Sequence, residues 1–103
     1  MKKYFLFTLM MLFTTIAISQ TSLQGNVTEA ENGEPVLFGN VALYKNGILY
    51  TGGETDFDGN YNFNSIDPGT YDLEFTYVGL QALRITGVLI YAGRINVLDV
   101  EMR

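Results

Sequence analysis

Cysteine, tryptophan and histidine are all absent from this 103-residue sequence, and only two prolines are present. Without cysteine, no disulfide bond can stabilise the fold. Without histidine and cysteine, the usual ligands of a zinc site and the usual base of a nucleophilic enzyme are missing. After position 19, serine occurs only as Ser22 and Ser65, and lysine only as Lys45. We therefore expect a protein that is not an enzyme and needs no cofactor.

Basic residues are also scarce. The sequence has 6 lysines and arginines against 11 acidic residues, and two of the basic residues, Lys2 and Lys3, lie at the extreme N-terminus. A domain this acidic repels phosphate backbones and anionic lipid head groups. The composition therefore argues against nucleic acid and against a peripheral membrane surface as partners.

The N-terminal residues have the layout of a secretory signal peptide. Lys2 and Lys3 form a positive start, an apolar run covers residues 4–18, and the small residues Ala17 and Ser19 precede a candidate cleavage site. The run is shorter than the roughly 20 apolar residues of a spanning helix. We therefore predict a signal peptide at residues 1–19, one domain at residues 20–103, and an exported product with no membrane span after cleavage.

Apolar and polar residues alternate along most of the remaining chain, which is typical of strands with one buried face. The clearest case follows the turn residues Asp58-Gly59 and Asp67-Pro68-Gly69. It predicts a core made from these inward residues: Tyr61, Phe63, Tyr71, Leu73, Phe75 and Tyr77. The alternate asparagines of the same segment, Asn60, Asn62 and Asn64, should face water.

The whole pattern predicts an all-β fold, a seven-strand antiparallel β-sandwich. In the last strand, residues 94–102, apolar residues change parity near Val97, which indicates either a bulge or burial on both faces. The predicted sheet edges are the first strand, residues 22–28, and this last strand. An unpaired edge accepts another strand, so we expect a protein partner in the cell envelope, which the sequence does not identify.

Several short motifs together resemble one known family. They are Gly25-Asn26-Val27, Gly33-Glu34-Pro35-Val36, Thr55-Asp56-Phe57-Asp58-Gly59-Asn60-Tyr61, Pro68-Gly69-Thr70-Tyr71 and Leu98-Asp99-Val100-Glu101. The sequence is similar to carboxypeptidase regulatory-like domains, a transthyretin-like (prealbumin-like) group of β-sandwiches in exported proteins of Bacteroidetes-type bacteria. It departs from the family at Phe38-Gly39, where members usually have Gly-Ala.

The resemblance implies a fold and a cellular location rather than a reaction. Such domains are non-catalytic where they are attached to carboxypeptidases, and they also precede the plug of TonB-dependent outer-membrane receptors. The implied function is binding or scaffolding in the periplasm, at the outer membrane or outside the cell. The alternatives are a carbohydrate-binding module of the starch-binding type and a detached N-terminal extension of a TonB-dependent receptor.

Two candidate sites can be named from the residues. Glu54, Asp56 and Asp58 have the spacing of the first ligands of a calcium loop, with Gly59 at the expected glycine, but Ser65 stands where the bidentate Glu should be. An ordinary acidic turn is the simpler interpretation, since Asp is common in turns. The second candidate is a pair of tyrosines, Tyr44 and Tyr91, that we expect to be exposed and able to stack on sugar rings.

Overall fold

A computed structural model describes residues 20–103, and the predicted signal peptide, residues 1–19, lies outside the described residues. Within the described part there are eight strands and no helix: β1 (Ser22–Glu29), β2 (Asn40–Lys45), β3 (Ile48–Glu54), β4 (Asn60–Phe63), β5 (Gly69–Thr76), β6 (Leu83–Ile90), β7 (Ile95–Val97) and β8 (Val100–Met102). The count exceeds the predicted seven because the last predicted strand is divided into β7 and β8.

The alternating pattern folds as predicted in β4 and β5. Tyr71, Leu73 and Phe75 are at most 1% exposed, and the polar residues between them are partly or fully exposed. Tyr77 lies just beyond the end of β5 and is only half-buried against the core. The hairpin between β2 and β3 turns at Asn46-Gly47, where both residues have positive φ, 54° and 78°. This is the conformation that an Asn-Gly hairpin turn requires.

The strands form two four-stranded sheets that face each other. One sheet has the order β3-β2-β5-β6, and in the other β1 lies between β4 on one side and β7 and β8 on the other. The β-sandwich is thus confirmed. Most pairs are antiparallel as predicted, but β7 and β8 both run parallel to β1. The prediction that the first strand is an edge is wrong, because β1 is paired on both sides.

The two predicted explanations for the change of parity near Val97, a bulge or burial on both faces, are both wrong. Gln24 pairs with Val97 and Val27 pairs with Val100, so the register along β1 is the same before and after the break. Asn96 is buried and Val97 is 62% exposed. The apolar pattern is misleading here because a polar residue, Asn96, occupies the inward position. The prediction that this last segment is a sheet edge is confirmed.

The space between the sheets is filled mainly by aliphatic and aromatic side chains. The Tyr61 ring of one sheet contacts the Phe75 ring of the other edge-on, with 5.6 Å between centroids, which is a favourable aromatic geometry. The buried core consists of Leu23, Val27, Val36, Val41, Leu43, Tyr61, Phe63, Ile66, Tyr71, Leu73, Phe75, Ile90, Val100 and Met102. Without disulfides, this burial and the strand ladders stabilise the domain.

Candidate functional site

Four amide side chains form a rectangular block on the outer surface of the sheet that contains β1. Gln24 pairs with Asn62, and Asn26 pairs with Asn60, across the β1–β4 ladder. All four side chains point away from the core, because the residues between them, such as Tyr61, point inward. We call this block, Gln24, Asn26, Asn60 and Asn62, the amide face.

The third strand of the sheet completes the row on the other side of β1. Val97 lies beside Gln24 in the register. Next to Asn26 lies Asp99, whose Oδ1 accepts a hydrogen bond from the Asn26 backbone N–H at 2.9 Å. The amide face is therefore bordered by one exposed apolar side chain and one exposed carboxylate.

Hydrogen bonds fix one half of the amide face. Asn26 Nδ2 donates both to the Asp58 carbonyl, at 2.9 Å, and to Asn60 Oδ1, at 2.8 Å. An asparagine has one carbonyl acceptor and one amino group with two hydrogens. The side-chain carbonyl of Asn26 and the side-chain amino group of Asn60 are therefore free to bond to other partners. The side chains of Gln24 and Asn62 make no hydrogen bond within residues 20–103.

The amide face lies in a surface depression of about 400 Å³, which is at the lower end of the range for ligand sites. Its base is Gly25, which lies close to two groups beneath it, the Leu98 carbonyl and the Tyr61 hydroxyl. The Tyr61 hydroxyl donates a hydrogen bond to that carbonyl. Burial, and then the negative charge of Asp99, raise the pKa of Tyr61 above its ordinary value. The hydroxyl is therefore a permanent donor at physiological pH.

The acidic turn that was the calcium candidate lies beside the amide face and is organised by hydrogen bonds. Asp56 Oδ1 accepts the backbone N–H groups of Asp58 and Asn60, each at 2.9 Å. This is the side-chain-to-backbone pattern expected of Asp in a turn. Glu54 is the last residue of β3 and is exposed. Within residues 20–103, no three acidic side chains gather closely enough to hold a metal ion.

The two candidate tyrosines lie apart from the amide face: Tyr44 is in β2, and Tyr91 directly follows the end of β6. Tyr44 is half-buried, and the Arg84 guanidinium lies over its ring at 5.2 Å. Tyr91 is 53% exposed, and the Arg94 guanidinium lies over its ring at 5.0 Å. These are cation–π distances. Each ring therefore has one face that a sugar could reach only if an arginine moved.

A second surface feature is apolar. The side chains of Ile95 and Val97 are each 62% exposed on β7, which has no strand on its other side within residues 20–103. Beside them, between β6 and β7, is a cleft of about 290 Å³ whose walls include Val88 and Leu98. The turn that joins the two strands is held by the buried Asn96 side chain, which bonds to Tyr91 and Ser22.

Sequence reasoning correctly placed Asn60 and Asn62 in water but missed the amide face. The polar positions of β1, Gln24 and Asn26, alternate just as those of β4 do. That alternation was the available signal, and the pairing of β1 with β4 was needed to use it.

No helix in the described part of the chain is long and apolar enough to cross a membrane.

Comparison with solved structures identifies the fold over 82% of this chain. A candidate carbohydrate-binding protein from Bacteroides uniformis superposes with a TM-score of 0.68 at 19% identity, and this chain covers 41% of it. The TIE protein of Bacillus anthracis gives 0.61 at 18% identity, with 17% of it covered. The major pilin subunit of Bacillus cereus gives 0.60 at 13% identity, with 30% covered. The chain thus spans less than half the length of each.

A search of the curated proteins finds no match. The family model for the carboxypeptidase regulatory-like domain, in contrast, matches residues 22–103. This range contains all eight strands and the whole amide face. The sequence motifs, the two-sheet architecture and this match agree, and the chain belongs to the carboxypeptidase regulatory-like domain family.

Proposed function

We propose that this chain is a non-catalytic binding module of the cell envelope and that it binds through the amide face. The observation that carries the proposal is the rectangular block of four outward amides in a depression of about 400 Å³. Exposed side chains that offer both donors and acceptors suit the recognition of a polar ligand. Two of them, Asn26 and Asn60, are already held in place, so less conformational entropy is lost on binding.

The residues of this chain support binding better than catalysis. The sequence contains no histidine or cysteine, so a serine nucleophile would lack its usual base. Ser65 instead donates its hydroxyl hydrogen to Gln20 Oε1, and Ser22 is buried. Beside the amide face, Asp56 caps a turn through Oδ1. The side chains in and beside the amide face therefore suit hydrogen bonding to a ligand rather than catalysis.

The location in the cell envelope rests on the N-terminal pattern at residues 1–19, together with the family. Mass spectrometry of the exported protein tests it. We expect cleavage after Ser19 and a mature chain that begins at Gln20. A protein that keeps residues 1–19 and stays in the cytoplasm would contradict the location.

The binding surface can be tested in cells with a photo-crosslinking amino acid at position 62. Asn62 lies in the amide face, and Asn64, also exposed, follows the end of β4 and is the matched control. We expect a crosslinked product, protein or glycan, from position 62 and none from position 64. Equal labelling at both positions, or none at position 62, would show that the amide face is not the binding surface.

A protein partner at the β7 edge is the second candidate. It is favoured by the exposed apolar side chains of Ile95 and Val97 on a strand that has no neighbour on one side within residues 20–103, since such edges accept another strand. The partner could be a TonB-dependent receptor, if the chain acts as a detached receptor extension. A receptor gene directly downstream would favour that assignment. A crosslink from position 95 to a receptor in cells would support it further.

A further inference from the structure

We infer that the amide face binds neutral carbohydrate, through hydroxyl groups that donate and accept hydrogen bonds at the same time. This inference rests on the proposed function, because it names the ligand class of the same site.

The unpaired hydrogen-bonding groups of the amide face are of both kinds. Gln24 and Asn62 each present a carbonyl and an amino group that have no partner within residues 20–103, and the fixed pair adds the Asn26 carbonyl and the Asn60 amino group. A ligand that satisfies them must carry donors and acceptors side by side. Hydroxyl groups do this, because each has one hydrogen to donate and two lone pairs. A polyhydroxylated ligand therefore matches the amide face.

The carboxylates at the border of the amide face argue against charged ligands. Asp56 and Asp99 line the same depression, and each uses Oδ1 for a backbone N–H, so the second carboxylate oxygen of each can accept a further bond. Two carboxylates repel phosphates, sulfates and uronic acids. A cation would suit the carboxylates but would leave the three unpaired amino groups of the amide face, those of Gln24, Asn60 and Asn62, without acceptors. A neutral ligand satisfies both sets.

The spacing of the side chains fits a ligand that is wider than one functional group. Paired residues such as Gln24 and Asn62 have Cβ atoms about 5 Å apart. Along β1, Gln24 and Asn26 are separated by about 6.6 Å. A ring with hydroxyl groups around its edge can reach several corners of such a rectangle at once. Val97, which is 62% exposed beside Gln24, offers an apolar surface for the C–H groups of the ring.

The direct test is affinity electrophoresis of residues 20–103 in gels that contain one polysaccharide each. The neutral probes are glucan, mannan, galactan, arabinan and xylan. Dextran sulfate and polygalacturonate are the charged probes, and both are anionic. We expect retardation by at least one neutral polysaccharide and by none of the charged ones. No retardation in any neutral gel, or stronger retardation by a charged probe, would overturn the inference.

Substitutions then locate the site. Gln24→Ala and Asn62→Ala remove exposed side chains that make no hydrogen bond within residues 20–103, so the fold should be kept. Each should weaken binding about five-fold, in line with the loss of one or two hydrogen bonds, and the double variant at least ten-fold. Asn64→Ala, outside the depression, is the matched control and should bind like wild type. Unchanged binding of the double variant would overturn the assignment of the site.

The cellular crosslinking experiment separates the two levels of the proposal. If position 62 labels a glycan and the neutral gels retard the protein, both stand. If position 62 labels a protein and no neutral gel retards the chain, the carbohydrate inference fails and the binding-module function survives. If position 62 gives no product and no gel retards the protein, both fail.

Discussion

The Tyr61 hydroxyl donates its hydrogen bond to the Leu98 carbonyl, which turns inward beneath Gly25. In a regular parallel ladder that carbonyl would accept the Asn26 N–H, since Gly25 lies opposite Leu98 in the register. Here the Asp99 side chain accepts the Asn26 N–H instead. The exchange divides β7 from β8 without changing their register. It also places the Asp99 carboxylate at the border of the amide face.

Gly25→Ala should destabilise the domain severely. A Cβ at this position would lie 1.8 Å from the Leu98 carbonyl oxygen and 2.7 Å from the Tyr61 hydroxyl. Neither atom can move without breaking the hydrogen bond between them. We expect a loss of at least about 3 kcal/mol in the free energy of unfolding, measured with urea. Gly52→Ala is the control, because its Cβ would meet only the Val41 carbonyl oxygen, at 3.5 Å. Equal stability of the two variants would contradict the close approach at Gly25.

Tyr61→Phe should lower the free energy of unfolding by about 1–3 kcal/mol, because it leaves the partly buried Leu98 carbonyl without its donor. The control is Tyr91→Phe, whose hydroxyl lies on a side chain that is 53% exposed and makes no hydrogen bond within residues 20–103. That variant should stay within about 0.5 kcal/mol of wild type. If both phenylalanine variants unfold at the wild-type urea concentration, the Tyr61 bond contributes nothing.

Stability should fall at alkaline pH. Burial raises the pKa of Tyr61 above the ordinary value of 10.0, and burial, followed by the neighbouring Tyr50 side chain, raises the pKa of Tyr71 to about 12. Between pH 10 and 12 the unfolded chain has lost these protons and the folded chain keeps them. The free energy of unfolding should therefore keep its full value below pH 10. Above it, the loss should be at most about 1.4 kcal/mol per pH unit for each such tyrosine, and smaller for Tyr71, whose hydroxyl is only partly buried.

Urea titrations at intervals from pH 8 to pH 11 measure this loss, and tyrosinate absorbance follows the ionisation directly. Tyr61→Phe should show a shallower decline above pH 10, because one of the two shifted groups is gone. A free energy of unfolding that stays constant from pH 8 to pH 11 would contradict the buried, protonated state of these tyrosines.

The sequence was sufficient for the strands whose apolar and polar residues alternate. Phe63 and Phe75 point inward and Asn62 points outward, as the pattern predicts. Local alternation reports which side of a strand is buried, but it carries no information about which strand lies beside it. The predicted edge at residues 22–28 was wrong for this reason, since β1 is paired on both sides.

The amide face was missed for the same reason. Asn60 and Asn62 were recognised as exposed, but their alignment with Asn26 and Gln24 depends on the β1–β4 register. Asp99 reaches the site through parallel pairing between the two ends of the chain. The prediction of a bulge or of burial on both faces near Val97 was wrong for a different reason. It assumed that inward positions are apolar, and Asn96 is inward because its amide satisfies backbone groups of a turn.

Asp56→Ala should destabilise the turn before β4 by about 1 kcal/mol, because the backbone N–H groups of Asp58 and Asn60 lose their acceptor. Asp56→Asn keeps an oxygen at Oδ1 and should lose less. Asp58→Ala should change stability by no more than about 0.5 kcal/mol.

Thermal melts of these variants distinguish the turn from the calcium site. Millimolar calcium should leave the melting temperature of wild type unchanged. A calcium-dependent rise that Asp58→Asn abolishes would instead establish a metal site.

Asn96→Asp tests the buried amide that holds the turn between β6 and β7. Asn96 Nδ2 donates to the carbonyls of Ser22, at 2.9 Å, and Tyr91, at 3.1 Å, and Oδ1 accepts the Tyr91 N–H. An ionised aspartate at position 96 has no donor and would face two carbonyl oxygens. We expect a loss of about 3 kcal/mol or more at pH 7, as for an uncompensated buried charge.

The pH dependence of this variant provides the decisive comparison. Protonation restores one donor to an aspartate, so the folded state should raise the pKa of the new carboxyl group above its unfolded value of about 3.9. The difference in stability between Asn96→Asp and wild type should therefore be small near pH 4 and should grow as the pH rises to 7. Paired urea titrations of the two proteins at pH 4, 5.5 and 7 measure this difference. A constant difference across the three pH values would show that the loss comes from altered packing rather than from the missing donor and the buried charge.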